Sequence, residues 1–227
     1  MAQYDRMAVL NAIYDVGIVP VFYNKDVETT INVIEACLKG GSRVFEFTNR
    51  GDQAYHVFTE AVRHVVANDL DIIMGVGSVV DAPTAALYIA NGTNFVVGPL
   101  LNKEVGLLCN RRKVAYSPGC GSATEIAQAE ELGVEIVKVF PGSQVGGPNF
   151  VKSVMAPCPW TRIMPTGGVD STRESLEGWF KAGVAAVGAG SKLVTKEMVA
   201  AKDWDGISAK VAQCIAWIKE IRAEMAS

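Results

Sequence analysis

One pattern recurs along the 227-residue chain and constrains its fold more than any other feature. A helical stretch ends at a glycine, one or two residues follow, and a short run rich in β-branched residues begins. The pattern occurs around Gly40–Gly41, Gly92, Gly133 and Gly183. A glycine just past a helix adopts the left-handed conformation that ends it, so each site is predicted to be a helix-to-strand junction. Such alternation predicts an α/β fold with a parallel sheet.

The whole chain supports about eight strands. They are predicted near residues 17–22, 43–48, 71–76, 94–97, 114–117, 135–140, 162–166 and 185–188. Helical segments of roughly 10 to 16 residues separate them, except that the sixth connection is short and rich in Gly and Pro. This predicts a (β/α)₈ TIM barrel with an extra N-terminal helix from about Tyr4 to Asp15. The alternative is a doubly wound open sheet, which usually carries Gly-x-Gly-x-x-Gly after its first strand, and this chain lacks that motif.

Several helix signals support this alternation. Asp26 is a predicted N-cap, Ser122 to Glu125 has the form of a capping box, and the last helix has one apolar stripe that ends in a basic residue. The stripe consists of Trp204, Ile207, Val211, Ile215, Ile218 and Arg222. Because no linker or low-complexity segment interrupts the pattern, residues 1–227 are predicted to form a single domain.

Composition excludes several classes of function. With 49% hydrophobic residues and a net charge of −3, the chain has no basic stripe for nucleic acid and no apolar stretch of membrane-spanning length. The first residues lack a secretory pattern, so a cytoplasmic location is expected. The five cysteines form no CxxC pair, and the two histidines, eight residues apart on one predicted helix, are poor metal ligands, so no metal site is expected.

Lys138 lies in the middle of the apolar run Val134–Gly142. If this run is a strand, Ile136, Lys138 and Phe140 share one face, and neither face is polar. Desolvation lowers the pKa of a lysine and makes its amine a nucleophile toward a carbonyl group. The alternatives are an amine that reaches solvent from the strand end and a structural ion pair with a buried carboxylate.

Glu46 lies in a second apolar run, Val44-Phe45-Glu46-Phe47-Thr48. Alternation predicts that Phe45 and Phe47 face the helices while Glu46 points into the barrel. A buried Glu46–Lys138 ion pair would cost two desolvation penalties, each on the order of several kcal/mol, and apolar residues would stabilise the fold about as well. Catalysis is therefore the favoured interpretation.

Glycine-rich turns follow several predicted strands, at the end of a barrel where active sites lie. Gly75 and Gly77 would let a ligand approach the backbone beside Ser78. Thr166–Gly168 and Gly190–Ser191 follow strands seven and eight, where such barrels bind phosphate, although glycines could serve tight turns alone. Cys120 has no histidine partner in any motif and is a poor candidate nucleophile.

Five of these segments, from about residue 17 to 194, resemble in order and spacing the class I aldolases that act on 2-keto-3-deoxy-6-phosphogluconate and 4-hydroxy-2-oxoglutarate. The segments are Phe45 to Arg50, Gly75 to Ser78, Pro118 to Cys120, Val137 to Pro141 and Pro165 to Gly168. The resemblance implies a (β/α)₈ fold, a homotrimer, and no cofactor other than a covalent imine on a lysine.

The resemblance also assigns roles to individual residues. Lys138 corresponds to the Schiff-base lysine and Glu46 to the general acid/base. The implied substrate contacts are Arg50, Ser78, Pro118, Phe140, Thr166, Gly167, Gly168, Gly190 and Ser191. Among these, Arg50 holds the charged substrate near the carbonyl, Ser78 contacts the pyruvyl carboxylate, and the last five form the phosphate end.

The chain departs from the family pattern in three places. Cys120-Gly121-Ser122 replaces Ile-Ser-Thr, Gly142-Ser143 replaces Ala-Glu, and Tyr23-Asn24-Lys25 follows the first strand where relatives often have a basic residue. None of these changes affects Lys138 or Glu46. They bear on which acyl chain is accepted.

The expected function is cleavage of a 2-keto-4-hydroxy acid to pyruvate and an aldehyde, either glyceraldehyde 3-phosphate or glyoxylate, without a metal ion. Two alternatives stay open. The same lysine could decarboxylate oxaloacetate or a similar 2-keto acid, or the barrel could bind sugar phosphates without catalysis. A small-molecule 2-keto acid is the expected partner in each enzymatic case.

Overall fold

The computed structural model describes residues 3–226, so both ends of the predicted 1–227 domain, residues 1, 2 and 227, lie outside the described residues. Helices alternate with short strands. The strands are β1 (Ile18–Phe22), β2 (Val44–Thr48), β3 (Ile73–Gly77), β4 (Phe95–Val97), β5 (Ala115–Ser117), β6 (Gly119–Cys120), β7 (Val137–Val139), β8 (Ile163–Pro165) and β9 (Val187–Ala189). The helices are α1 (Arg6–Val16), α2 (Val27–Lys39), α3 (Ala54–Ala67), α4 (Ala82–Ala90), α5 (Lys103–Arg112), α6 (Ala123–Glu131), α7 (Gly147–Met155), α8 (Arg173–Phe180), α9 (Lys196–Ala200) and α10 (Trp204–Ala226).

The paired strands are parallel and form a curled sheet in two segments. One segment has the order β5-β4-β3-β2-β1-β9 and the other β6-β7-β8. Pro118 separates β5 from β6 because proline has no N–H for the strand ladder. At the other edge, an isolated parallel bridge between Thr166 and Gly188 joins β8 to β9.

The helix-to-strand junctions follow the predicted chemistry. A glycine with positive φ occurs at each of the four sites, with φ of 94° at Gly41, 96° at Gly92, 76° at Gly133 and 101° at Gly183. The first junction differs in detail, because Gly40 keeps a right-handed conformation and approaches α10 closely instead. The prediction of a short sixth connection is wrong, because this connection contains the nine-residue helix α7.

Helix boundaries have identifiable causes. The Asp5 carboxylate accepts a hydrogen bond from Ala8 N at 2.8 Å and begins α1, which precedes the first strand. The predicted cap Asp26 accepts a bond from Thr29 N at 2.7 Å. The Ser122 hydroxyl caps α6 by accepting a hydrogen bond from Glu125 N. In an ordinary capping box the Glu125 carboxylate would accept a bond from Ser122 N, but here it accepts one from Gly121 N, one residue earlier.

Apolar residues fall into two layers on either side of the strands. Phe45 and Phe47 belong to the larger cluster, which packs between strands and helices, while Val44 belongs to the smaller cluster, which lies on the inner face of the curled sheet and includes residues of α1. The predicted alternation of β2 is therefore confirmed, and Glu46 shares the inward face with Val44. The stripe on α10 packs against α2 and α8. None of the helices within residues 3–226 has the length and apolar character needed to cross a membrane.

Candidate active site

Lys138 occupies the middle of β7, between Gly119 of β6 and Met164 of β8. Its backbone N–H donates to Pro118 O at 3.1 Å, and only 5% of the residue is exposed. The amine Nζ lies 4.9 Å from the centroid of the Phe140 ring. Burial lowers the pKa of Lys138; Glu46 opposes this effect, and Arg50 adds to it. The amine is therefore easier to deprotonate than an ordinary lysine.

Glu46 lies on β2 with 1% of the residue exposed. Neither carboxylate oxygen has a hydrogen-bond partner. Burial raises the pKa of Glu46, and the positive charges of Lys138 and Arg50 oppose the rise. A buried carboxyl group without hydrogen bonds is costly, so such groups usually have a function beyond folding.

Gly77 of β3 makes room for the Glu46 carboxyl group. A Cβ atom at Gly77 would lie 1.8 Å from Glu46 Oε1, and one at Gly75 would lie 2.2 Å from the Phe95 ring. The sequence-based expectation that these two glycines admit a ligand to the backbone is therefore wrong. Their space is occupied by side chains of the protein itself.

The structural alternative of a Glu46–Lys138 ion pair is not formed. None of the ion pairs found in the described part of the chain, at separations up to 4.0 Å, joins these two residues. Their electrostatic coupling is nevertheless reciprocal, since each moves the pKa of the other toward its charged form. The two groups are therefore near enough to influence each other without forming an ion pair.

Arg50 follows the end of β2 and is exposed. Its Nε donates to Ser78 Oγ at 3.4 Å, which is long for a hydrogen bond. Ser78 has a left-handed backbone with φ of 61°. Arg50 and Ser78, each predicted to contact the substrate, are thus adjacent in space at the carboxyl ends of β2 and β3.

A cavity of about 470 Å³ opens at the carboxyl ends of the strands. Seven of the predicted site residues line it: Arg50, Phe140, Thr166, Gly167, Gly168, Gly190 and Ser191. Lys138, Glu46, Ser78 and Pro118 do not line this cavity; the first two are buried, and Phe140 contacts Lys138 from the cavity wall. Further lining residues that the sequence interpretation did not assign include Tyr23, Thr48, Lys192 and Lys196.

The distal end of the cavity consists of turns rather than side-chain clusters. Gly167 and Gly168 have φ of 88° and 76°. Thr166 O accepts a bond from Gly142 N at 2.9 Å, while its buried Oγ1 has no partner. The amine of Lys192 lies 4.0 Å from the Asp170 carboxylate. This end combines backbone amides, an unbonded hydroxyl and a lysine, which suits an anionic or hydroxylated group.

Two other features are not part of this site. Cys120 is 1% exposed, its Sγ lies 3.8 Å from Pro118 O, and burial raises the pKa of its thiol to about 12, so it is no nucleophile at neutral pH. A cavity of about 450 Å³ at the amino ends of the strands is lined by α1 residues, Glu135 and Arg162, and contains none of the predicted residues. Within residues 3–226, no group of three or more potential metal-ligating side chains is found.

A parallel α/β sheet that carries a buried lysine and a buried carboxyl group on its strands suits a class I aldolase, a carbon–carbon lyase that acts through an imine of a lysine. A sequence model of the KDPG and KHG aldolases matches residues 9–210. The chain belongs to this family.

Individual relatives extend over nearly the whole chain. It is 30% identical over 218 residues to a 2-dehydro-3-deoxy-phosphogluconate aldolase of Haemophilus influenzae, covering 95% of this chain and 99% of the relative. An enzyme of the same name from Treponema pallidum is 31% identical over 209 residues, with coverages of 92% and 97%.

Solved structures are also similar. A KDPG aldolase from Legionella pneumophila, with pyruvate captured at low pH as a covalent carbinolamine intermediate, has a TM-score of 0.81 and 25% identity, covering 92% of this chain and 98% of that one. The 2-keto-3-deoxy-6-phosphogluconate aldolase of Zymomonas mobilis has a TM-score of 0.79 and 25% identity, with coverages of 94% and 98%.

Proposed function

We propose that this protein cleaves 2-keto-3-deoxy-6-phosphogluconate, 4-hydroxy-2-oxoglutarate or both to pyruvate and an aldehyde, through an imine on Lys138. The aldehyde is glyceraldehyde 3-phosphate from the first substrate and glyoxylate from the second. One observation carries the proposal. The buried amine of Lys138 forms no ion pair, the buried carboxyl group of Glu46 has no hydrogen bond, and each group shifts the pKa of the other.

The first steps use Lys138 as a nucleophile. Its neutral Nζ attacks carbon 2 of the keto acid and forms a carbinolamine, whose hydroxyl group takes up a proton and leaves as water to give a protonated imine. The lowered pKa of Lys138 increases the fraction of neutral amine near neutral pH. The positive imine nitrogen then accepts the electron pair of the bond that is to break.

Glu46 moves the protons. Its carboxylate, directly or through one water molecule, takes the proton of the 4-hydroxyl group while the bond between carbons 3 and 4 breaks and an enamine of pyruvate forms. The aldehyde leaves, carbon 3 is protonated, and water hydrolyses the resulting imine to pyruvate and free Lys138. Burial raises the pKa of Glu46, which makes its carboxylate a stronger base.

The remaining residues bind the two ends of the substrate. Arg50 and Ser78 hold the carboxylate next to the keto group, and Phe140 and Pro118 contact the pyruvyl part. Thr166, Gly167, Gly168, Gly190 and Ser191 hold the distal end. The position of Phe140 against Lys138 Nζ and the unbonded Thr166 Oγ1 support this assignment.

The proposal includes the architecture around the site. We propose that β5 and β6 act as one strand and that the strands close a (β/α)₈ barrel in one domain that spans the chain. The Thr166–Gly188 bridge between β8 and β9 supports this closure. We further propose a cytoplasmic homotrimer that needs no cofactor beyond the covalent imine. No observation favours the decarboxylase or the binding-only barrel over aldol cleavage.

Borohydride trapping tests the proposed function. Borohydride added with pyruvate should reduce the imine and add one reduced pyruvyl group to the peptide that contains Lys138, as measured by peptide mass spectrometry. Lys192→Ala, which removes an exposed amine at the rim of the same cavity, is the matched control and should still be labelled. Unlabelled Lys138 together with cleavage that EDTA abolishes would show a metal-dependent lyase instead.

A further inference from the structure

We infer that Tyr23 and Tyr88 are positioning residues that hold Arg50 at the mouth of the cavity by contacting the residues on either side of it. This inference rests on the proposed function, in which Arg50 binds the substrate carboxylate. It assigns a role to a tyrosine at the end of β1, where relatives often have a basic residue, and to a second tyrosine in α4.

Arg50 has little of its own to hold it in place. The side chain is exposed, and its one hydrogen bond among the described residues is the 3.4 Å contact with Ser78. Its backbone N donates to Thr48 O at 2.9 Å, which defines only a tight local turn. The location of the guanidinium therefore depends on how firmly the neighbouring residues, Asn49 and Gly51, are held.

Tyr23 packs against Gly51. Its ring makes an edge contact with Phe47, with the centroids 5.6 Å apart, and its hydroxyl lies beside Gly51. A Cβ atom at Gly51 would lie 1.9 Å from Tyr23 Oη and 2.6 Å from its Cζ. Gly51 is not among the glycines with positive φ, so its own backbone would accept alanine, and the Tyr23 ring is what opposes a side chain there.

Tyr88 holds Asn49 on the other side. Its hydroxyl donates to Asn49 Oδ1 at 2.9 Å, and its buried ring packs on Phe58 with centroids 5.1 Å apart. The Asn49 backbone N also donates at 2.9 Å to the O of Gly77, the glycine that makes room for the Glu46 carboxyl group. One tyrosine thus contacts each neighbour of Arg50.

The test measures the pyruvate concentration that gives half-maximal borohydride trapping, together with KM and kcat for cleavage. Gly51→Ala either lifts the turn or pushes the Tyr23 ring toward the cavity, so we expect both concentrations to rise about tenfold or more, with kcat changed less than about threefold. Tyr88→Phe removes one hydrogen bond and should raise them about two- to tenfold.

Tyr116→Phe is the matched control. Tyr116 is also a buried tyrosine, and its hydroxyl accepts a hydrogen bond from Asn102 N at 3.2 Å, in a turn with no proposed substrate contact. It should affect thermal stability but neither half-saturation value. Equal effects of Tyr88→Phe and Tyr116→Phe on KM would reduce the role of Tyr88 to general packing and overturn the inference.

Two combinations sharpen the test. Tyr23→Val removes the ring that a residue-51 side chain would meet, so the double variant with Gly51→Ala should bind pyruvate better than Gly51→Ala alone. In an Arg50→Ala background, Gly51→Ala should cause no further loss, and a further tenfold loss would overturn the inference. If the wild-type protein forms no Lys138 adduct, the proposed function fails; an adduct with unchanged half-saturation in Gly51→Ala rejects only the positioning role.

Discussion

The two ends of the parallel sheet differ in how their charged side chains are bonded. At the amino ends of the strands, the half-buried Arg222 guanidinium donates to Tyr14 O, Asp15 O and Ala185 O and lies over the Tyr14 and Phe180 rings. Toward the carboxyl ends, Glu46 has no hydrogen bond, and the Lys138 amine lies 4.9 Å from the centroid of the Phe140 ring and forms none of the ion pairs found among the described residues. Satisfied charges stabilise a fold, whereas unsatisfied ones remain available to a ligand.

Arg6 extends the comparison at the amino ends. The two N–H groups of one Arg6 terminal nitrogen are shared among three acceptors, Cys109 O at 3.3 Å, Asn110 Oδ1 at 2.8 Å and Val114 O at 2.9 Å, while the buried Nε has no partner. These bonds attach α1 to α5 and to the chain just before β5. Arg6 and Arg222 therefore connect helices that flank the site-free end of the sheet, and we expect substitutions there to change stability more than catalysis.

Lys138→Met gives the largest expected effect. Cleavage should fall by more than about 10⁴-fold, since the covalent nucleophile is lost. The free energy of unfolding should rise by about 1–3 kcal/mol, because an apolar side chain of similar length replaces a desolvated amine. Steady-state kinetics and denaturant unfolding measure the two quantities. A variant that is both inactive and less stable would contradict the contrast between the two ends.

Glu46→Gln should reduce kcat by about 10²- to 10⁴-fold, the range for loss of a general acid/base. Binding of pyruvate and borohydride labelling of Lys138 should persist at high pyruvate, because the amine and Arg50 are unchanged. Single-turnover kinetics separates imine formation from bond cleavage. Unchanged cleavage in this variant would assign the proton transfer to another group.

Arg222→Met is the counterpart at the amino ends. It leaves three carbonyl groups without their donor, so we expect the free energy of unfolding to fall by about 2–3 kcal/mol. kcat per folded molecule should stay within about twofold of the wild type, because the residue lies at the end away from the cavity. A loss of kcat comparable to that of Glu46→Gln would show that the two ends are coupled.

The smallest effects concern pH. Since the folded pKa of Lys138 is below 10.5, trapping with pyruvate should reach its plateau at a lower pH than an ordinary lysine would. Glu46 raises and Arg50 lowers the pKa of Lys138, so Glu46→Gln should shift the midpoint to lower pH and Arg50→Ala to higher pH. Labelling rates measured across the pH range test both signs. Shifts in the same direction would refute this electrostatic account.

The local part of this architecture could be predicted from sequence. Alternation in Val44–Thr48 correctly placed Glu46 on the inward face, and glycines marked the helix ends, because both signals depend on neighbours a few residues away. The division at Pro118 was also predictable in principle, since proline cannot join a strand ladder.

The long-range contacts could not be predicted in this way. Gly77 makes room for the carboxyl group of Glu46, which is 31 positions away in the sequence, and Tyr23 packs against Gly51, which is 28 positions away. Each contact depends on strand register and side-chain direction, which a single sequence does not specify. The tyrosine after the first strand was visible as a departure from the family pattern. Its contact with Gly51 is evident only from the structure, in which the turn after β2 lies beside Tyr23.

The glycine at position 77 has a consequence for anyone who would redesign this enzyme. Libraries that vary the cavity for new aldehydes can include wall positions such as Thr48 and Lys196, but any side chain at position 77 would displace the carboxyl group of Glu46. Mutations at Thr48 of β2 can therefore change the substrate range without moving the Glu46 carboxyl group, whereas a mutation at Gly77 of β3 would also disturb proton transfer.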